Sequence, residues 1–228
     1  MSLTLAVLSW GARKTLVNTL ESYRKQNLDA PGTEKIVFFQ EITNEDREIA
    51  QEYGYEAHGV PINIGIAQGY KSLVELATGD LFLFLENDWE LIEPVDAAYE
   101  AANLLYNEVV DVVRLRHREN PGNPLWSRTY QGRELDKPEY ILDSIHWTDP
   151  ERFPQIHLDD HFYFTTAPFA NWTNNPTMFR TQWLKDVVVP RMGNSDVEIE
   201  IQPWWREQRE IRVAQHEIGL FTHNRIDR

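Results

Sequence analysis

Apolar residues along the first hundred positions arrive in two alternating kinds of block. Residues 3–10, LTLAVLSW, are a short continuous apolar run, the pattern of a strand buried on both faces. Residues 13–26 then carry Leu16, Leu20 and Tyr23 at helical spacing. The run KIVFFQ (35–40) reads as a second strand. NEDREIAQEYG (44–54) reads as a helix, with Asn44 as N-cap, acidic residues in its first turn and Gly54 after its end. YEAHGV (55–60) predicts a third, short strand. Over 65–77, Ile66, Tyr70, Leu73, Val74 and Ala77 share one helical face. DLFLFLE (80–86) predicts a fourth strand, again buried on both sides. Strands alternating with helices predict an α/β fold, a three-layer α/β/α sandwich around a mostly parallel central sheet. Ligands gather at the carboxyl ends of such strands. Ser9 to Gly11, Gln40-Glu41 and Glu86 to Asp88 fall at those ends.

The second half is less regular. AYEAANLLYNE (98–108) predicts a helix, and VVDVVRLRHR (109–118) a strand with Arg114, Arg116 and Arg118 on one face. Residues 119–154 are rich in proline, glycine and tryptophan and show little periodicity. An ordered stretch of that length is more often a functional lid than filler. HFYFTTAPF (161–169) and TMF (177–179) predict short strands, and 181–189 a helix. Residues 195–210 are ambiguous: DVEIEI alternates like a strand, while Val197, Ile201, Trp204 and Trp205 have helical spacing. Ser195 and Glu198 have the spacing of a capping box, and Pro203 argues against an undistorted helix. There is no internal repeat or linker.

Composition narrows the chemistry. The 228 residues are 42% hydrophobic and include no cysteine. That suffices for a substantial core and excludes disulfides, thiolate catalysis and zinc–thiolate sites. No run reaches membrane-span length. The first residues lack a leading positive region and a cleavage signal, so they read as a strand rather than a signal peptide. The absence of cysteine makes a cytoplasmic location the expectation. Asn171-Trp172-Thr173 matches the glycosylation acceptor pattern, which arises often by chance. A net charge of −14 argues against nucleic acid as a partner. It leaves room for a small anionic ligand where a metal ion reverses the local potential.

Against that background, Glu86-Asn87-Asp88 is the sharpest chemical signal. Two carboxylates separated by one residue at a strand end can share a hard divalent cation, or divide between a metal and a sugar hydroxyl. The plain alternative is an acidic turn facing water. The block PINIGIAQGYKSLVELATGDLFLFLENDWEL (61–91) resembles the A-type (GT-A) glycosyltransferase fold, especially family 2. Asn63, Gly65, Ala77 to Asp80, the apolar strand and Glu86 to Asp88 match that family's succession. The resemblance covers most of residues 3–95. It departs at Glu86, where the family has Asp, and at Gln40-Glu41, where the family has paired aspartates.

The resemblance implies one glycosyltransferase domain over 1–228. Residues 1–95 would form a nucleotide-sugar-binding half, and 96–228 an acceptor-binding half with the lid-like segment at 119–154. It implies a metal-dependent, hexosyltransferase-like enzyme that uses Mn2+ or Mg2+ and a nucleotide-diphospho-sugar donor, with a glycan or glycoconjugate acceptor and inversion at the anomeric centre. Ser9, Trp10, Gly11 and Glu41 would line the base pocket, with Asn63 and Gly65 beside it. Asp88 would bind the metal. Glu86 would approach the ribose or the metal, next to Asn87. Trp10 could stack on the base or pack in the core.

In SDVEI (195–199), Asp196 matches the family's general base and Glu198 is the reserve. A carboxylate there would take the acceptor proton, or Asp196 would only cap a helix. In GLFTHNR (219–225), His223 matches a histidine that completes the metal shell, with an exposed tail histidine as the alternative. HLDDH (157–161) has metal-like composition, but the strand pattern after it points the neighbours to opposite faces, and acceptor binding suits it better. Asn174 and Asn175 could bond sugar hydroxyls or form an Asn-Pro turn, and Trp172 could stack on a sugar face. Arg114, Arg116 and Arg118 could meet diphosphate, although a solvated strand face is commoner.

Two other readings stay open. GARK (11–14) is a thin echo of sugar-nucleotide pyrophosphorylases. The replaced acids at 40, 86 and 195 also allow a non-catalytic nucleotide-sugar or glycan-binding module. A P-loop enzyme is excluded, since the glycine-lysine signature is absent.

Overall fold

The computed structural model describes residues 1–117, 127–130, 133–139 and 157–224, with side chains for 1–117 and 159–224. The elements run β1 (Leu3–Trp10), α1 (Arg13–Lys25), β2 (Glu34–Gln40), α2 (Asn44–Glu52), β3 (Glu56–Val60), α3 (Gly65–Leu76), β4 (Leu81–Glu86), β5 (Trp89–Leu91), α4 (Asp96–Tyr106) and β6 (Val112–Arg114). There follow β7 (Ser127–Tyr130), β8 (Arg133–Glu139), β9 (His157–Asp159), β10 (Phe162–Thr166), β11 (Thr177–Arg180), α5 (Thr181–Trp183), α6 (Val197–Trp205), β12 (Arg212–His216) and β13 (Phe221–His223). Of the segment expected to form a lid, the antiparallel pair β7–β8 belongs to the described residues. The rest of it, and Arg118, lie outside them.

Nine strands form the central sheet in the order β3-β2-β1-β4-β11-β6-β12-β10-β9. The pairings β3–β2, β2–β1, β1–β4 and β6–β12 are parallel, and the other four are antiparallel. Only β11 and β10 therefore run against the rest, and the sheet is mostly parallel. Strand alternation builds a core on each face. Leu5, Val7, Val37, Phe39, Leu81, Leu83 and Leu85 meet α1, α2 and α4 on one side. Ala6, Leu8, Ile36, Phe38, Phe82 and Phe84 meet α3 and α6 on the other. Burial on both sides explains the unbroken apolar runs of β1, β2 and β4. The chain moves outward from β1 to β2 and β3, then returns to place β4 on the other side of β1. The crevice between the diverging ends of β1 and β4 is the switch point where such sheets hold ligands.

Several local expectations shift. Thr43, not Asn44, caps α2: its hydroxyl accepts from the Asp46 amide while the Asp46 carboxylate accepts from the Thr43 amide. The helix expected over 181–189 is present but changes pitch, running from α5 into a wider π-helical stretch over Leu184–Val188 and a tighter 3-10 turn over Val189–Arg191. Pro190 has no N–H to continue an α-helical ladder there. Residues 197–205 are helical despite Pro203, and the cap is Asp196; Ser195 instead donates its hydroxyl to Glu200 at 2.6 Å. Arg114 is not on a solvated face. It sits in the interior strand β6, 1% exposed, with its guanidinium donating to the Asn171 carbonyl. Asp111 just before β6 ties Arg180 of β11 to Arg212 of β12.

Candidate active site

A cleft of about 450 Å³ opens where β1 and β4 end, beside the register pair Leu8–Glu86. Six of the anticipated residues line it: Trp10, Gly11, Asn63, Glu86, Asn87 and Asp88. Gln40 and Thr15 line it too. No Lys or Arg is among the described lining residues. The backbone around the opening is unusual. Gly11 has φ +59°, and Ala12 and Glu41 also lie in the left-handed region. Non-glycine residues there store strain, which persists where surrounding contacts enforce it. Here the enforcing contacts are visible. Arg13, the first residue of α1, donates through Nε to Asp46 Oδ1 at 2.6 Å and so ties the β1–α1 turn to α2. Burial works to raise the Asp46 pKa. Hydrogen bonds from Arg13 and Thr43 outweigh it and hold the carboxyl below its usual range. Arg13 is thereby committed to α2.

Trp10 is 60% exposed, so it does not pack in the core. Its indole Nε1 donates to Glu41 Oε2 at 2.9 Å, which joins the ends of β1 and β2 at the cleft mouth. Gln40 lies behind them, 5% exposed. Its Nε2 donates to the Gly65 carbonyl and its Oε1 accepts from the Ile64 amide, both at 2.9 Å. Asn63 Oδ1 accepts from the Gly65 amide at 2.8 Å. A glutamine where the sequence suggested a lost acid thus holds the turn that carries Asn63 and Gly65. Ser9 is buried, and its hydroxyl has no partner among the described residues.

The acid motif meets a histidine. His223 Nε2 lies 2.8 Å from Asp88 Oδ2 across a sequence separation of 135 residues. The two-stranded pairing of β5 with β13 places His223 opposite Trp89. The imidazole stacks on the Trp89 indole at 4.7 Å between centroids and 23° between planes. The Arg116 guanidinium lies 5.8 Å from the centroid of the same indole. Among the described residues no group of three carboxylate or imidazole side chains forms a metal cage. Asp88 and His223 instead make a hydrogen-bonded acid–imidazole pair at the edge of a cleft with no Lys or Arg among its described lining residues. Asp88 would supply the hard oxygen that Mg2+ or Mn2+ prefer, with His223 beside it and water and phosphate oxygens as further ligands.

Asp196 and Glu198 are not among the residues lining this cleft. Asp196 is exposed and its Oδ1 caps α6 by accepting from the Ile199 amide at 3.1 Å. Glu198 Oε1 accepts from Thr173 Oγ1 at 3.0 Å and from the Asn174 amide at 2.6 Å. Asn174 is 6% exposed. The register of β11 against β4 runs the preceding residues toward the Glu86 end of β4. Trp172 cannot stack on a sugar. It is 3% exposed, parallel to Phe179 at 5.5 Å and edge-on to Trp205 at 5.1 Å. HLDDH supplies β9 and the two-residue turn into β10, with Asp160 at φ +47°. His161 there faces Glu217 at 3.1 Å.

No family model matches the chain, and no curated protein matches its sequence. Solved structures match its shape. The S. aureus TarS 1–349 structure in complex with UDP-GlcNAc is 14% identical, with a TM-score of 0.67 over 100% of this chain and 60% of that chain. Glucosyl-3-phosphoglycerate synthase from Mycobacterium tuberculosis, in complex with Mn2+, UDP and glucosyl-3-phosphoglycerate, is 13% identical. Its TM-score is 0.59, over 99% of this chain and 72% of that one. Mannosyltransferase PcManGT from Pyrobaculum calidifontis, in complex with GDP-Man and Mn2+, is 11% identical, with a TM-score of 0.58 over 99% of this chain and 55% of that one. The chain thus spans about 60% of the length of the TarS chain it matches. At these identities the likeness establishes the fold, and the fold is GT-A.

Proposed function

We propose that this chain is a metal-dependent glycosyltransferase that moves a hexosyl group from a nucleotide-diphospho-sugar to an acceptor hydroxyl with inversion. The observation that carries the reading is the Asp88–His223 contact, at the edge of a cleft with no lysine or arginine among its described lining residues. Among the described lining residues the charged side chains, Glu86 and Asp88, are both negative, so a cation would favour the entry of a diphosphate there. Asp88 and His223 would hold Mn2+ or Mg2+, with Glu86 near the ribose or the ion. When bound, the ion neutralises the charge that develops on the departing diphosphate. The complexes of the matched structures with UDP-GlcNAc, with UDP and Mn2+, and with GDP-Man and Mn2+ support a donor of this class.

The chain's own groups supply the rest. Trp10 offers an exposed indole face for a nucleobase, steadied by Glu41, with Gly11 and Ser9 behind it. Asn63 and Gly65, held by Gln40, border the same end of the cleft. Residues 1–95 carry these donor contacts, and residues 96–228 carry the acceptor side. There Asp196 takes the proton of the acceptor hydroxyl as its oxygen attacks the anomeric carbon and the bond to diphosphate breaks. Direct attack gives inversion. Among the described residues no helix is long and apolar enough to cross a membrane.

The test is product analysis with UDP-glucose, UDP-GlcNAc and GDP-mannose. Nucleoside diphosphate should appear with Mn2+ and cease on chelation. Pyrophosphate release from a nucleoside triphosphate and a sugar phosphate would instead identify a pyrophosphorylase. No turnover beside tight nucleotide-sugar binding would identify a binding module.

A further inference from the structure

The strap that carries the acid motif is gripped along its backbone by one helix. Asn87 sits between the two acids, and its carbonyl accepts from Thr19 Oγ1 at 2.8 Å. The Trp89 carbonyl accepts from the Tyr23 phenol at 2.6 Å. The Leu91 amide donates to Ser22 Oγ at 3.0 Å, and Ser22 in turn donates to the Thr19 carbonyl. Positions 19, 22 and 23 lie one helical turn apart, so a single face of α1 makes all three contacts. From the other side, the Asn224 amide donates to the Asp88 carbonyl at 2.7 Å, and Asn224 Nδ2 to Glu90 at 2.8 Å. The Asn87 amide continues the β1 ladder by donating to the Leu8 carbonyl. Thr19 and Tyr23 are fully buried. Burial pushes the Tyr23 phenol well above its ordinary pKa, so it stays protonated and remains a donor.

We infer that Thr19, Ser22 and Tyr23 are positioning residues for the metal pair, with Thr19 the decisive one. The inference rests on the reading of Asp88 and His223 as that pair. Two chain segments far apart in sequence must meet within hydrogen-bond distance. A three-residue strand such as β5 has too few ladder bonds to set that alignment alone. The α1 face supplies a further constraint, and Thr19 acts on the peptide that leads into Asp88. The same helix starts at the strained Gly11-Ala12 turn, so one rigid element spans the base side and the acid side of the cleft. Supporting contacts behind ligand residues commonly alter affinity for the ion by about ten- to a hundredfold.

The experiment titrates Mn2+ into the whole chain with UDP and, separately, with GDP. The loss of the free-ion paramagnetic resonance spectrum reports bound Mn2+. Thr19→Val keeps the shape and removes the donor, and Thr19→Ser restores a hydroxyl. Thr4→Val breaks a buried bond to the Gly79 amide at the far end of the sheet and serves as the stability control. The wild type should bind Mn2+ with one nucleotide. Thr19→Val should weaken that binding about tenfold and raise the donor KM, while Thr19→Ser stays within about threefold of wild type. Thr4→Val should leave affinity unchanged even where it lowers the unfolding midpoint. If the wild type binds Mn2+ and Thr19→Val binds it equally well, the positioning role is overturned. If Thr4→Val weakens binding as much as Thr19→Val, the effect is one of general stability and the role is likewise overturned. If the wild type binds no Mn2+ with either nucleotide, the metal reading itself falls.

Discussion

At the scale of single residues, the sharpest division of labour is between Asp196 and Glu198. Asp196 uses one oxygen to cap α6 and is otherwise exposed. Asparagine caps about as well as aspartate, so Asp196→Asn should fold normally. It cannot accept the acceptor's proton, so turnover should fall by about two orders of magnitude or more while donor and Mn2+ affinity hold. Steady-state kinetics beside a binding titration checks this, and unchanged turnover would reject the base role. Glu198 has the opposite character, because its Oε1 ties α6 to Thr173 and Asn174. Glu198→Ala should lower unfolding free energy by about 1–3 kcal/mol, read by urea denaturation. The SDVEI pattern made both carboxylates legible in the sequence, and the cap at Asp196 was one of its two readings. The partners of Glu198 were not legible, because they come from a turn 25 residues earlier. The Asp88–His223 meeting was legible only as a resemblance. Its physical cause, the β5–β13 pairing, rests on two three-residue strands that leave no periodic trace.

Among elements, α3 sits unusually close to the sheet. A Cβ on Gly69 would lie 2.6 Å from Leu8 Cδ1 and 2.9 Å from Gln40 Nε2. Gly69→Ala should therefore push Gln40 away from the turn that carries Asn63 and Gly65. The expected result is a loss of about 1–3 kcal/mol in stability, with weakened nucleotide binding. Calorimetry and denaturation on the same sample separate the two effects. The first-half strands and helices were readable because each is long enough to show its period and each strand is buried on both faces. Boundaries were less so. Thr43 displaced Asn44 as cap because its hydroxyl and Asp46 satisfy each other's amides. Arg114 gave no warning of burial, since a strand that looks amphipathic in sequence is flanked on both sides by others in the sheet. Trp172 likewise became core rather than surface once Tyr70, Phe179 and Trp205 surrounded it.

For the whole molecule, acid should lower stability, and Asp111 and His216 carry part of that loss in the second half of the sheet. Burial acts to raise Asp111, but hydrogen bonds from the Arg212 amide and side chain and from Arg180 outweigh it and hold its pKa below the ordinary carboxylate value. The unfolded chain then takes up this proton first as pH falls. The associated stability is complete above about pH 5 and is lost progressively below about pH 4. Burial also lowers His216, against the opposing pull of Glu100 and Glu217, and its Nδ1 accepts from the Gly219 amide at 3.0 Å. Its contribution is therefore present above about pH 6.5 and fades as pH drops through that value. Denaturation midpoints measured from pH 7 to pH 3 should decline in both windows. His216→Gln should flatten the upper one, and Asp111→Asn should shrink the lower one, to which Asp46 and Glu34 also contribute. Neither group is among the residues lining the Trp10–Asp88 cleft. The most direct measurement of the function is calorimetric titration of UDP and of GDP into the wild type and Asp88→Asn, with and without Mn2+. One nucleotide should bind the wild type only when Mn2+ is present, and Asp88→Asn should bind at least about a hundredfold more weakly. Equal affinity without the ion, or undiminished affinity in Asp88→Asn, would contradict a metal-bridged diphosphate at this cleft.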